Sequence, residues 1–335
     1  MVRNCGGLPL AIVVLGGILA TKYPSLTEWL KVSANVKSYL NNNKGIISSK
    51  QGDEGQIEVD VAEGYLMELA ERCNLSCLQT LDLRIISKRS WESIHVPNVL
   101  WRMQQLKHLY LPSRCSPETK LKLGTLGNLQ TLVNFNTKNC YVKHLINMTN
   151  LIDLEIRGPF NIEDFNTEEL DKNPPIIQSK YLHSLSIFYY EGRIDPRHLY
   201  DYSSSNLAYV HLRGCKLEED PIPTLEKLPN LRALKLHVGA FIGKEMFCAT
   251  EGFPKLESLS LACLENLEDW KVDERAMPSL RKLEIEKCRQ LKRLPDGLSF
   301  IATLQELKIG SLPKTFEDKV KEGGEDVRNW PTMLL

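Results

Sequence analysis

Apolar and polar positions along this chain fall into one recurring phrase, with leucine or a close substitute at i, i+3 and i+5 and polar residues in the gaps. The clearest copy is Asn206 to Leu217, Asn-Leu-Ala-Tyr-Val-His-Leu-Arg-Gly-Cys-Lys-Leu, whose apolar slots hold Leu207, Val210, Leu212, Cys215 and Leu217. Marked by its first leucine, the phrase returns at Leu78, Leu106, Leu129, Leu151, Leu182, Leu207, Leu231, Leu256, Leu280 and Leu304. The intervals are 28, 23, 22, 31, 25, 24, 25, 24 and 24 residues. Such spacing predicts a short strand whose inward side chains, with one from the entering turn, feed a shared core. One coil cannot bury that face alone, so neighbouring coils stack into a solenoid.

The phrase matches L-x-x-L-x-L-x-x-N/C-x-L, the pattern of the leucine-rich repeat. The expected fold is therefore α/β. It is a leucine-rich-repeat solenoid with short parallel strands on its concave face and loops, 3₁₀ turns or short helices outside. About ten repeats are expected over residues 75–311. Return segments supply further apolar residues, as in Leu123-x-x-Leu126-x-x-Leu129, Leu225-x-x-Leu228-Pro229-x-Leu231 and Leu294-Pro295-x-x-Leu298-x-x-Ile301-x-x-Leu304. Their prolines suit loops and 3₁₀ turns better than long helices. Asp164 to Ile177, with Asn173-Pro174-Pro175, reads as an exposed loop.

Ahead of the repeats the pattern turns helical. Gly6 to Ala20 is an apolar run behind Arg3. It is too short to span a bilayer and puts Ile18 where a signal-peptide cleavage site wants a small residue, so a buried helix is expected. Ser25-Leu26-Thr27-Glu28 is a capping box, followed by Leu26, Trp29, Leu30, Ser33, Val36 and Leu40 at helical spacing. Residues 44–59 are polar and glycine-bearing and read as a linker. Asp60 and Glu63 open a second helix with Val61, Tyr65, Leu66 and Leu69 on its apolar side.

Cys5-Gly6-Gly7-Leu8-Pro9-Leu10-Ala11-Ile12 and the Trp29 helix resemble the G-L-P-L-A segment of plant intracellular immune receptors of the nucleotide-binding leucine-rich-repeat family. Val61-Ala62-Glu63-Gly64-Tyr65-Leu66-Met67-Glu68-Leu69 is similar to the end of that family's winged-helix segment, and Lys314 through Asp326 to the C-terminal tail of its coiled-coil type. The resemblance implies a truncated product. Residues 1–43 would be a helical remnant of the nucleotide-binding (NB-ARC) domain, 60–74 a winged-helix remnant and 312–335 a tail. It also implies a cytoplasmic setting and a role in defence, with Pro9 touching the adenine of ADP in an intact receptor. The sequence departs from the family in having neither G-x-x-x-x-G-K-[ST] nor the M-H-D signature. Without the phosphate-gripping loop no cofactor is expected, and ADP or ATP would bind only through an upstream nucleotide-binding domain.

Residues between the leucines alternate outward, because strand side chains have period two. The concave face should then carry Asp153, Glu155 and Arg157; Tyr209, His211 and Arg213; Lys235 and His237; Lys282, Glu284 and Glu286; Glu306 and Lys308. Mixed charge with an aromatic suits a protein ligand, since charges specify and aromatics anchor. By the resemblance that ligand is a pathogen effector, a guarded host protein or an NB-ARC domain. Other readings are an ADP/ATP-binding switch fragment, a secreted repeat receptor and a non-functional gene fragment.

Composition narrows this further. Lys plus Arg and Asp plus Glu number 42 each, so no net field points to nucleic acid or an anionic membrane. Nine cysteines, an odd number without paired spacing, read as reduced thiols. Cys215 and Cys288 take the N/C slot of the repeat, where they can pack in the turn and satisfy nearby backbone, and Cys263 lies one residue short of it. Asn74-Leu75-Ser76 and Asn147-Met148-Thr149 match glycosylation acceptors, which would matter only in a secreted protein. No H-E-x-x-H, G-x-S-x-G or C-x-x-C occurs, so no enzyme and no metal site is expected.

Overall fold

A computed structural model of the chain describes residues 78–84, 93, 96, 98–158, 177, 179–188 and 206–310, with the backbone of 333–334. The expectations for residues 1–43, 44–59 and 60–74, for Pro9, and for all of the 164–177 loop but Ile177 lie outside the described residues. So does the 312–335 tail, apart from those two backbone positions. The chain forms two compact units, Met1–Leu151 and Ile152–Leu335.

In the first unit β1 (Thr80–Asp82), β2 (His108–Tyr110) and β3 (Thr131–Asn136) pair in parallel, with Leu81 beside Leu109 and Leu109 beside Leu132. The second unit contains β4 (Asp153–Arg157), β5 (Ser184–Phe188), β6 (Tyr209–Arg213), β7 (Ala233–His237), β8 (Glu245–Cys248), β9 (Ser258–Ala262), β10 (Asp269–Val272), β11 (Lys282–Glu286), β12 (Glu306–Gly310) and β13 (Met333–Leu334). Its main sheet is parallel, in the order β4-β5-β6-β7-β9-β11-β12-β13. All ten repeat strands start two residues after a marker leucine. Those leucines are buried, from fully in most coils to 5% exposed at Leu304. The period in the sequence is thus the pitch of the fold.

A tight turn delivers seven of the ten repeat strands. The amide of the marker leucine donates three residues back, as in Leu106 to Met103 O, Leu182 to Ser179 O and Leu280 to Met277 O. At the strand's start two successive amides share one carbonyl of the previous coil. His183 and Ser184 donate to Ile152 O, Ala208 and Tyr209 to His183 O, and Arg281 and Lys282 to Glu257 O. Beyond these points alternation sends Leu154 and Ile156, Leu185 and Ile187, and Leu234 and Leu236 inward, all fully buried. Complete burial of one leucine contributes about 1.5 to 3 kcal/mol, so the stacked coils stabilise one another.

The turns after the strands reverse the chain sharply. Gly158, Gly214, Val238, Cys263 and Lys287 directly follow β4, β6, β7, β9 and β11, and all have positive φ. The thiols of Cys215 and Cys288 sit beyond two of these turns. Cys215 Sγ lies 3.9 Å from Ile187 O and 3.8 Å from Arg213 O, and Cys288 Sγ lies 3.8 Å from Leu261 O and 3.7 Å from Glu286 O. Both side chains are buried, as the repeat slot requires.

The third coil departs from the pattern, because Asn134 fills its third leucine slot. The residue is buried at φ 62°, and its amide donates to Leu111 O at 2.8 Å.

Among the described residues, return segments are short 3₁₀ turns at Leu100–Arg102, Val142–Asn147 and Asp296–Phe300, with one α-helical turn, α1 (Ile222–Leu225). Two return segments also pair with each other, which the leucine phrase did not predict. β8 and β10 form a separate parallel ladder with Met246, Cys248, Trp270 and Val272 buried. Trp270 supplies the bulk that leucine supplies elsewhere. Next to it Gly297 approaches Val272 so closely that an added Cβ would lie 1.9 Å from the Val272 carbonyl oxygen.

Candidate protein-binding face

The outward positions of the strands in Ile152–Leu335 form three parallel rows. Register places Asp153, Ser184, Tyr209, Ala233, Ser258, Lys282 and Glu306 in the first. The middle row is Glu155, Ser186, His211, Lys235, Ser260, Glu284 and Lys308. The third is Arg157, Phe188, Arg213, His237, Ala262, Glu286 and Gly310. Each of the thirteen residues expected on the face stands in one of these rows and is exposed or half-buried.

At the β11–β12 end the charges neutralise one another. Lys282 Nζ is 2.8 Å from Glu306 Oε1, and Lys308 Nζ is 2.6 Å from Glu284 Oε1. The Lys308 hydrogen bond holds the Glu284 carboxyl below the usual carboxylate range, and the Lys308 ammonium is raised in return. Ser260 Oγ bonds both Glu284 Oε2 at 3.2 Å and His237 Nε2 at 2.9 Å. That chain of contacts leaves Ser260 only 4% exposed.

At the β4–β7 end the face is aromatic and cationic. Arg157 pairs with Glu155 at 2.7 Å and lies over the Phe188 ring, 5.0 Å from its centroid. Phe188 meets His211 edge-on with centroids 4.8 Å apart, and His211 meets His237 in the same way at 4.8 Å. His183 and Tyr209 form a third edge contact at 5.2 Å. Such rings have a fixed geometry and a large contact area, which suits them to anchoring a partner. Burial, helped by His237, Lys235 and Arg213, pushes His211 down to about 4, and burial and Lys235 lower His237 as well. Both rings are therefore neutral near pH 7. Among the described residues, His211 Nε2 and Arg213 Nε are buried without a hydrogen-bond partner.

The sequence reading passed over several members of this face. Phe188 joins Arg157 to His211, and Ser260 joins His237 to Glu284. Both obey the alternation used for their neighbours. Only the small size of serine and the absence of charge in β5 hid them.

In Met1–Leu151 the outward side chains make their own pairs. Arg84 bonds Asp82 at 2.6 Å and lies 4.2 Å from the Tyr110 ring centroid, and His108 Nδ1 is 3.1 Å from Thr131 Oγ1. Among the described residues no group of three or more His, Cys, Asp or Glu could hold a metal. No described helix is long and apolar enough to cross a membrane.

No family model matches the chain. Among curated proteins it is similar to the disease resistance protein RPP8 of Arabidopsis thaliana, 37% identical over 276 residues, covering 76% of this chain and 30% of that protein. The Arabidopsis RPP8-like protein 2 is 37% identical over 274 residues with the same coverage. The Arabidopsis disease resistance protein RPH8A is 35% identical over 276 residues, again covering 76% and 30%. The chain thus spans about 30% of the length of these curated relatives. Among solved structures, the leucine-rich repeat domain of the type III effector XopL is 16% identical with a TM-score of 0.45, over 92% of this chain and 93% of that one.

Proposed function

Because this chain is a leucine-rich-repeat relative of plant disease resistance proteins, we propose that it is the recognition surface of a plant immune receptor. It binds another protein through the outward strand face of Ile152–Leu335. The partner is a pathogen effector, a guarded host protein or the receptor's own nucleotide-binding domain, and the setting is the cytoplasm. Any ADP or ATP belongs to a nucleotide-binding domain upstream of the repeats.

One observation carries this reading. Along β5 to β7, the rings of Phe188, His211 and His237 stand edge to edge on a solvent-facing sheet, beside Tyr209 at 47% exposure. Aromatic side chains grouped on a polar face are the composition of a binding hot spot, with the surrounding charges acting as rim.

Site-specific photo-cross-linking tests it. A photoreactive residue replaces Tyr209 on the strand face in one sample and Phe300, 58% exposed on a return segment, in another. Both are exposed to extract from challenged plant tissue. Specific adducts from position 209, absent from position 300 and lost when His237 is also replaced by alanine, are expected. The same adducts from both positions would overturn the reading.

A further inference from the structure

We propose that β6 and β7 hold a seat for an acidic segment of the partner protein, with an aspartate or glutamate carboxylate between Arg213 and Lys235 and Tyr209 covering the neighbouring chain. This rests on the reading of the strand face as the partner-binding surface and adds the chemistry of what it takes.

The seat is defined by what the face leaves unpaired. Lys282 and Lys308 are matched to Glu306 and Glu284, and Arg157 is matched to Glu155. Among the described residues, Arg213 and Lys235 stand on the same face with no ion pair, and Arg213 Nε has no acceptor. Register puts Arg213 beside His237 and Lys235 beside His211. The two cations are therefore offset by one strand and two residues, about 5 Å across and about 7 Å along the sheet. That span is the reach of one carboxylate accepting from a guanidinium on one side and an ammonium on the other. The ring between them, His211, is neutral near pH 7 and adds no competing ion pair.

Flanking charge selects against a polyanion. Asp153 and Glu155 lie two strands to one side of β6, and Glu284 and Glu286 lie two strands to the other side of β7. A single acidic side chain enters between these carboxylates. A phosphodiester backbone running across the strands meets them and is repelled.

The test pans a randomised peptide library against the whole chain, beside the variant Lys235→Glu. Lys235 is exposed and forms no ion pair among the described residues, so the change leaves the fold in place, which circular dichroism checks. Peptides enriched in Asp and Glu are expected from the parent, with affinity reduced about tenfold on the variant. A pool with no acidic enrichment, an empty pool, an acidic pool held equally by the variant, or displacement of the peptides by short single-stranded DNA would each overturn the proposal. If these fail while the Tyr209 cross-link persists, the acidic seat falls and the binding face stands. If the cross-link fails while acidic peptides bind at Lys235, the seat stands without the immune-receptor partner.

Discussion

Ser260 faces Glu284 across the β9–β11 register and gives its hydroxyl proton to that carboxylate at 3.2 Å. One hydroxyl has one proton, so the 2.9 Å contact between Ser260 Oγ and His237 Nε2 must be donated by the ring. The pair thereby fixes His237 as its Nε2–H tautomer. Nitrogen chemical shifts of the imidazole should report that tautomer alone at neutral pH. In Ser260→Ala the two tautomers should mix, and stability should fall by about 1 kcal/mol for the lost buried hydrogen bonds. A parent ring protonated on Nδ1 would refute the assignment.

In five coils the residue just ahead of the marker leucine fastens the coil to the one before. Asn128 donates to Gln104 O, Asn150 to Gly127 O, Asn206 to Lys180 O, Ser279 to Pro254 O and Thr303 to Pro278 O, at 2.7 to 3.0 Å. Replacing Asn206 by alanine leaves the Lys180 carbonyl without that donor and should cost about 1 kcal/mol in urea denaturation. Asn206→Ser should cost less, since serine makes the same contact at position 279. Equal losses for both variants would show that the side chain acts otherwise.

These staples also mark how far the sequence could be read. The inward leucines were legible because burial at i, i+3 and i+5 leaves a periodic trace, and the start of each of the ten repeat strands follows from it. The outward residues were legible by alternation, so Tyr209, His211 and Arg213 were placed without contacts. Their pairing was not. The distinction between Lys282, matched to Glu306, and Lys235, without an ion pair among the described residues, depends on which residues share a row across coils. The row itself is a common offset from the marker leucine; which neighbours within it reach one another closely enough to pair is not set by that offset. The β8–β10 ladder escaped for the opposite reason. Its alternation over Glu245–Cys248 and Asp269–Val272 is too short to stand out from the leucine period around it.

Val238 holds a conformation that glycine and asparagine adopt far more readily. It follows β7 at φ 43° with its side chain 42% exposed, whereas Gly158 and Gly214 fill the same position after β4 and β6. A β-branched residue there is strained by about 1 to 2 kcal/mol. Glycine gives back about 0.5 to 1 kcal/mol through its freer unfolded chain. Val238→Gly should therefore be stabilising by a few tenths to about 1 kcal/mol, read as a rise in the urea midpoint. A drop would mean that the exposed valine contributes packing that outweighs its strain.

The neutral histidines make stability depend on acidity in a definite direction. His211 is pushed from its ordinary 6.5 down to about 4 by burial first and by His237, Lys235 and Arg213 after it, and His237 moves the same way. Between those values the unfolded chain binds a proton that the folded chain refuses, so the folded state loses stability as pH falls from 6.5 to about 4 and is unaffected by this group above that window. Solvent reaches the half-buried ring, and the loss discounted for that screening is about 1 to 2 kcal/mol. Glu284 also loses its Lys308 partner's support as acid protonates it, so the parent's curve alone does not isolate the histidine. The difference between the parent and His211→Gln does. The parent's urea midpoint should fall relative to the variant's as pH drops across that window, because only the parent carries the refused proton. Parallel midpoints throughout would mean that His211 titrates normally and that the ring cluster of Phe188, His211 and His237 is open to water.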